Sequence, residues 1–402
     1  MICLNQGQSK VVAEAIDWAK HSSKQVFEFD GEAGTGKSVV LNEFVRQLGL
    51  QPYQYMPMAY TGQAAIIMRM KGFLNAKSIH SSLYHVVEKE RQYETTPFTK
   101  MNTQFNLPEK ERVFEEIPAG CLDPNVLFFI IDEGYMVPDT MLNTILKHGK
   151  KVIVAGDSGQ LPPIGGAPAF LTGYGIHHLD ELMRQSANNP IIYLAQRARK
   201  GLPIHNGLYG NRVLVINEDE LTNEMILQIG NVICGTNKTR DFINNRTRQL
   251  LGYQTPYPQF GERIICRNNN WNIEMDSIAL ANGLSGVVSS PYSVSSFNNK
   301  AISIDFLPDL LNTPFRNVPI DTEYIRAPYD IRNQIKNRRF NNGELFEFAY
   351  AITTHLSQGA EFPIGIYFEE FLRSNIQNQL NYTGITRFKE YMIYVKRTKK
   401  FY

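Results

Sequence analysis

Residues 31–38 read GEAGTGKS, and their spacing is suited to holding phosphate. Gly31, Gly34 and Gly36 let the backbone bend so that successive N–H groups, those of Ala33 and Thr35 among them, converge on anionic oxygens. A helix leaving the loop adds the partial positive charge of its N-terminus. Lys37 is placed to reach β- and γ-phosphates, and Ser38 to hold a magnesium ion. Upstream, Gln8 offers a donor and an acceptor, as reading an adenine edge requires; a solvated helix-end Gln explains it equally well.

Two further polar groups end apolar runs of strand type. NVLFFIIDE closes on Asp132 and Glu133. Asp132 suits magnesium, and Glu133 suits polarising the water that attacks a γ-phosphate. VIVAGDSGQ delivers Gln160, which can bond phosphate or water without adding charge. Arg184, in LDELMRQ, could reach developing phosphate charge, although alone it reads as a surface Arg.

These groups need elements to aim them. Val26 onward is a strand, Ser38–Leu48 has helical apolar spacing, and Tyr53–Met58, Asn125–Glu133 and Val152–Ala155 are further strands, so a parallel α/β sheet is expected. Thr61 and Gly62 precede a helix, a place that suits gripping a nucleic-acid phosphate. His80 opens another helical stretch and, taken singly, reads as structural. Residues 86–120 are charged without a sustained apolar period and read as an insertion; Phe98 there either stacks on a base or joins a small satellite cluster.

Composition sets outer bounds. At 402 residues the chain exceeds one ordinary core, and 43% hydrophobic with 20% charged residues excludes disorder. A net charge of +2 means that a nucleic-acid surface must come from local clustering. The four cysteines, at positions 3, 121, 234 and 266, form no CxxC pair, which argues against a zinc site or a disulfide framework. The most apolar run is too short to span a bilayer, so no membrane partner and a cytoplasmic location are expected.

In order, GEAGTGKS, DEGYM, GDSGQLPP and LMRQ resemble the superfamily 1 DNA helicases of the RecD and Dda branch, in the manner of a phage-like Dda relative. Later segments follow the same order. NVICGTNKTRDFIN is similar to the opening of a second RecA-like lobe, with Asn237 on its polar loop. FAYAITTHLSQGAEF is similar to the fifth motif, which implies Thr354 and His355 near DNA and Gln358, Gly359 and Glu361 facing nucleotide. NYTGITRFKEYMIYV is similar to the sixth, which puts Arg387 in the place of an arginine finger. Gly134, Leu356 and Gly384 depart from the family pattern.

The resemblance implies two RecA-like P-loop domains with parallel sheets: 1–85 with 121–190, and 191–286 with 346–402. A small charged insertion at 86–120, suited to a strand-separating pin, and a small SH3-like β insertion at 287–345 complete the expectation. In the latter, Arg332, Lys336, Arg338 and Arg339 make the most basic run, which is either a solvated face or a contact to the DNA backbone. The implied activity is ATP- and Mg2+-dependent unwinding with 5′ to 3′ movement on single-stranded and fork DNA, by a monomer that meets single-strand-binding or replisome proteins. An RNA helicase of viral type and a nucleotide-gated clamp that does not unwind are the alternatives.

Overall fold

The computed structural model describes residues 4–90, 110–173, 175–181, 188–276, 278–294, 300–337, 342–371 and 376–397, with the side chains at 86, 88–90 and 110–113 excepted. Arg184, Phe98, Arg338 and Arg339 lie outside the described residues.

The first sheet contains β1 (Val26–Gly31), β2 (Tyr55–Ala59), β3 (Lys77–Ser78), β6 (Phe128–Asp132), β7 (Lys151–Gly156) and β8 (His177–Leu179) in the order β3-β2-β6-β7-β1-β8. All five pairings are parallel. The FFIID run of β6 is buried at every position, as a strand covered on both faces must be. Register decides where the strands stop: Asp30 lies beside Gly156 and Ala59 beside Asp132. The loops after β1, β6 and β7 therefore emerge at one sheet edge, which carries the functional groups of such folds. Two apolar clusters cover the faces, one built around Trp18, Phe29 and Phe44 and the other around Phe129, Ile131 and Val154.

The second sheet has the order β20 (Ala351–Thr353), β11 (Val232–Cys234), β21 (Phe362–Phe368), β22 (Phe388–Lys396), β10 (Val213–Asn217), β9 (Gly207–Tyr209). It is parallel except for its edge strand β9. The chain is thus α/β with two central parallel layers.

A third sheet is antiparallel and comprises β12 (Arg263–Cys266), β15 (Ser285–Val288), β16 (Ser293–Val294), β17 (Ala301–Pro308), β18 (Phe315–Asp321) and β19 (Phe346–Phe348). Its strands extend beyond the expected 287–345 at both ends. The cause is local: Ile264–Cys266 and Phe346–Phe348 are short, wholly buried runs without alternation, indistinguishable by period from strands of a parallel sheet. β4 (Tyr84–Glu90) and β5 (Lys110–Glu116) form a separate two-stranded ladder where the charged insertion was expected. Phe114 on β5 packs edge-on against Trp271, ring centroids 4.7 Å apart, on the hairpin of β13 (Asn270–Met275) and β14 (Ile278–Leu280).

The third sheet is tied to the second lobe by buried charge. Glu347 meets Arg240 at 2.8 Å and Arg267 at 3.2 Å and accepts a hydrogen bond from Tyr324 at 2.8 Å. Burial alone would push the Glu347 carboxyl up, but Arg267, Arg240 and Arg332 bring it below its usual value. Arg332 also pairs with Asp241 at 3.2 Å, so this member of the basic run is part of the junction.

Two of the departures from the family pattern have packing reasons. A Cβ on Gly134 would stand 2.2 Å from Val154 Cγ1, and one on Gly384 would stand 2.1 Å from the Tyr367 ring. Gly384→Ala is expected to cost about 1–3 kcal/mol through overpacking against a fully buried ring. A thermal melt that leaves the midpoint unmoved would contradict this.

Candidate active site

The loop between β1 and α2 (Lys37–Leu48) has the left-handed backbone that its glycines predict, with φ of 88° at Gly34 and 84° at Gly36. Gly31 is required by close approach, since a Cβ there would meet Thr35 Oγ1 at 2.6 Å. Lys37 Nζ donates to the Gly31 carbonyl at 2.7 Å. Gln8, in α1 (Gln6–His21), is buried behind the loop: its amide donates to the Thr35 carbonyl at 2.8 Å and its oxygen accepts from Asn5 N–H at 3.1 Å. One of its two N–H groups is thus committed to shaping the loop, and Gln8 does not line the cavity in front of it.

That cavity, about 420 Å³, lies between the lobes. Gly34, Gly36, Lys37, Ser38, Asp132, Glu133 and Gln160 line it from the first lobe, and Gly359, Glu361 and Arg387 from the second. Ser38 Oγ is 3.5 Å from Asp132 Oδ2. Burial and the neighbouring Glu133 push the Asp132 carboxyl up, while Lys71 and Lys37 oppose them. A hydroxyl and one carboxylate at this spacing fit magnesium, which keeps most of its water and takes few protein ligands. Among the described residues no group of three or more His, Cys, Asp or Glu could form a denser metal cage.

Glu133 has φ 54° and ψ 41°, a left-handed setting that is costly for a residue with a side chain and recurs at functional sites. Gln160 then joins the lobes: its Nε2 donates to Glu133 Oε2 at 3.4 Å and its Oε1 accepts from Arg387 at 3.3 Å. Arg387 is buried and also donates through Nε to the Thr383 carbonyl at 3.1 Å. A carboxylate beside an amide, with cations at Lys37 and Arg387, is a set of groups that suits γ-phosphate cleavage.

Three charged residues of the cavity were not among those expected. Lys71, at the end of α3 (Gly62–Met70), and Lys389 both pair with Glu361, at 3.2 and 3.1 Å. Burial pushes the Glu361 carboxyl up, but Lys389 and Lys71 prevail and hold it at about 2. Glu32 is the third. The position of Lys389, two residues after Arg387, was the available signal for it; Lys71 had none.

Gln358 does not reach this cavity. Its side chain is buried and donates to the Leu161 carbonyl at 2.8 Å, because the second lobe packs directly on the turn after β7. Gly359 (φ 73°) lies against the start of α3, where a Cβ would meet Ala64 Cβ at 2.7 Å.

The residues expected to meet nucleic acid divide. Two cavities, about 190 and 420 Å³, share Ile164, His355 and Leu356 and form one groove across the lobes. Thr61 lies at one end, where its side chain also caps α3, and Asn237 at the other with Lys238, Arg267 and Tyr329. Ile164, 77% exposed, stands in this groove and was not anticipated. Thr354 is not on the groove: it is fully buried, and its hydroxyl donates to the Cys234 carbonyl at 3.1 Å. Gly62 faces the third sheet, where a Cβ would stand 2.5 Å from Ala281 Cβ. His80 is stacked on Tyr84 at 5.4 Å and lies near Tyr60; burial lowers its pKa.

A family model, the AAA domain, matches residues 3–215, over half of the chain. The chain belongs to the AAA domain family. The match takes in the phosphate loop, the acid pair at 132–133 and the Asp157–Gln160 turn, so the first lobe holds most of the family's residues in this AAA domain protein. It is 30% identical over 200 residues to the ATP-dependent DNA helicase Pif1 of Psychrobacter sp. (strain PRwf-1), a match covering 44% of this chain and 27% of that protein. In fold it is similar to Pif1 helicase from Candida albicans (16% identity, TM-score 0.52, 98% of this chain and 95% of that one). It is likewise similar to Pif1 helicase from Bacteroides in complex with ADP-AlF3 and ssDNA (17% identity, TM-score 0.54, 98% and 92%). At these identities the two structures establish a shared two-lobed fold.

Glu133→Gln keeps the shape of the side chain and removes its charge. It is expected to lower nucleotide turnover about 100-fold or more while nucleotide affinity changes by less than about threefold. Single-turnover hydrolysis beside equilibrium binding of a fluorescent nucleotide checks this, and near-normal turnover would remove Glu133 from the chemistry.

Proposed function

We propose that this chain is an ATP-driven DNA helicase that moves 5′ to 3′ along single-stranded DNA and unwinds the duplex ahead of it. One observation carries the reading: Glu133 of the first lobe and Arg387 of the second meet through the single side chain of Gln160, in a cavity that Lys37 also lines. A triphosphate seated there is touched from both sides, so its hydrolysis changes the force between the lobes.

Ser38 and Asp132 would hold a magnesium ion, which when bound offsets phosphate charge. The loop N–H groups and Lys37 orient the phosphates, Glu133 and Gln160 orient the attacking water, and Arg387 meets the charge that develops as the bond breaks. The groove from Thr61 through His355 to Asn237 spans the same two lobes, so a strand in it is gripped on both sides of a cleft that opens and closes. Its contacts are of the backbone and stacking type and read no base sequence. Support for the 5′ to 3′ direction comes from the motif order shared with the RecD and Dda branch.

Strand separation on duplexes with a 5′ or a 3′ single-stranded tail tests the proposal. Unwinding of the 5′-tailed duplex with ATP, and none with a non-hydrolysable analogue, is expected; unwinding of the 3′-tailed duplex alone would reverse the direction. Stimulation of hydrolysis by single-stranded RNA and not DNA would replace the substrate. ATP-dependent strand binding with no unwinding of either duplex would make the protein a clamp.

A further inference from the structure

Arg387 is not the only second-lobe group on the turn that carries Gln160. The helix Gln377–Ile385 ends against that turn, and Tyr382, 1% exposed, directs its hydroxyl into the first lobe. The hydroxyl accepts a hydrogen bond from the Ala33 N–H of the phosphate loop at 2.9 Å and donates to Asp157 Oδ2 at 2.5 Å. Asp157 is fully buried, and its other oxygen accepts from Gly159 N–H at 3.0 Å and from Arg199 at 3.3 Å. Burial lifts the Tyr382 pKa well above its ordinary value, so the phenol keeps the proton that it donates. Thr383 Oγ1 accepts from Leu161 N–H at 2.9 Å, and the Thr383 carbonyl accepts from Arg387 Nε.

The phosphate loop, the Asp157–Leu161 turn and the base of Arg387 are therefore linked through one side chain and its neighbour. We propose that Tyr382 is a positioning residue for hydrolysis, whose hydroxyl fixes the helix end from which Arg387 extends. A shift of the loop backbone at Ala33 passes through the phenol to the Asp157 turn and to that helix end. The guanidinium then meets Gln160 and the cavity at a set distance only while both hydrogen bonds of the phenol hold. Tyr382 does not line the cavity in front of the phosphate loop, so it acts through Arg387 and not on the substrate. The inference rests on the proposed ATPase reading.

Tyr382→Phe in the full chain keeps the ring and removes the oxygen. With saturating oligo-dT, kcat for ATP hydrolysis is expected to fall about tenfold while KM and the Kd of a fluorescent ADP stay within about twofold, since the interaction lost is one that matters in the transition state. A kcat equal to that of the unsubstituted chain overturns the inference, and so does a fall in nucleotide affinity that matches the fall in kcat, the mark of a merely structural role. If the Phe variant does not fold, Asp157→Asn, which keeps an acceptor for the phenol but removes the charge, decides: kcat about threefold lower at unchanged Kd is expected, and unchanged kcat overturns the inference. An unsubstituted chain that hydrolyses no ATP overturns the ATPase reading itself, and the inference with it.

Discussion

The turn from Asp157 to Leu161 is the point on which both lobes depend. It leaves the C-terminal end of β7 in the first sheet, yet four second-lobe side chains grip it: Tyr382 on Asp157, Arg387 on Gln160, and Thr383 and Gln358 on the two polar backbone groups of Leu161. All of these partners are buried, so water does not compete for the bonds and their geometry is well defined. Were this grip absent, the cavity would lose its second wall, and the acid pair at 132–133 would face solvent with no second-lobe cation opposite.

α3 distributes that constraint. Its faces serve three neighbours: Ala64, Ile67 and Lys71 line the nucleotide cavity, Thr61 and Gln63 the long groove, and Gly62 and Ile66 the third sheet. Both glycine contacts at its start, Gly62 on Ala281 and Gly359 on Ala64, bring backbone within distances that a methyl group would block. A helix packed this closely on three sides moves as a unit or not at all, because packed interfaces switch between arrangements and do not stretch.

The chemistry at the first sheet's edge was legible from sequence because short motifs at strand ends carry their own geometry. Gly34, Gly36, Lys37 and Ser38 needed only the strand before them and the helix after. What the sequence left open depends on long-range burial. Thr354 looked like a groove residue, but its hydroxyl is used by a carbonyl one strand away. Arg332 belongs to the basic run that reads as a solvated face or a contact to the DNA backbone, but Asp241 and Glu347 pair with it from 91 and 15 positions distant. Lys71 stands outside every motif, and only the fold brings it to Glu361. The start of the third sheet was hidden for a related reason, since Ile264–Cys266 reads the same in either kind of sheet.

The junction of Arg240, Arg267 and Arg332 around Glu347 responds to solvent differently from the groove beside it. Glu347 and Arg240 at its centre are enclosed, whereas Lys238 and, at the junction's edge, Arg267 face a cleft that an anionic strand and its counterions would fill. Dissolved ions screen exposed charges over about 8 Å at physiological strength and scarcely reach enclosed ones. Raising the salt concentration therefore loosens a bound strand, through the counterion release that drives its binding, while the third sheet keeps its angle to the second lobe. Brine strips the track and leaves the chassis rigid.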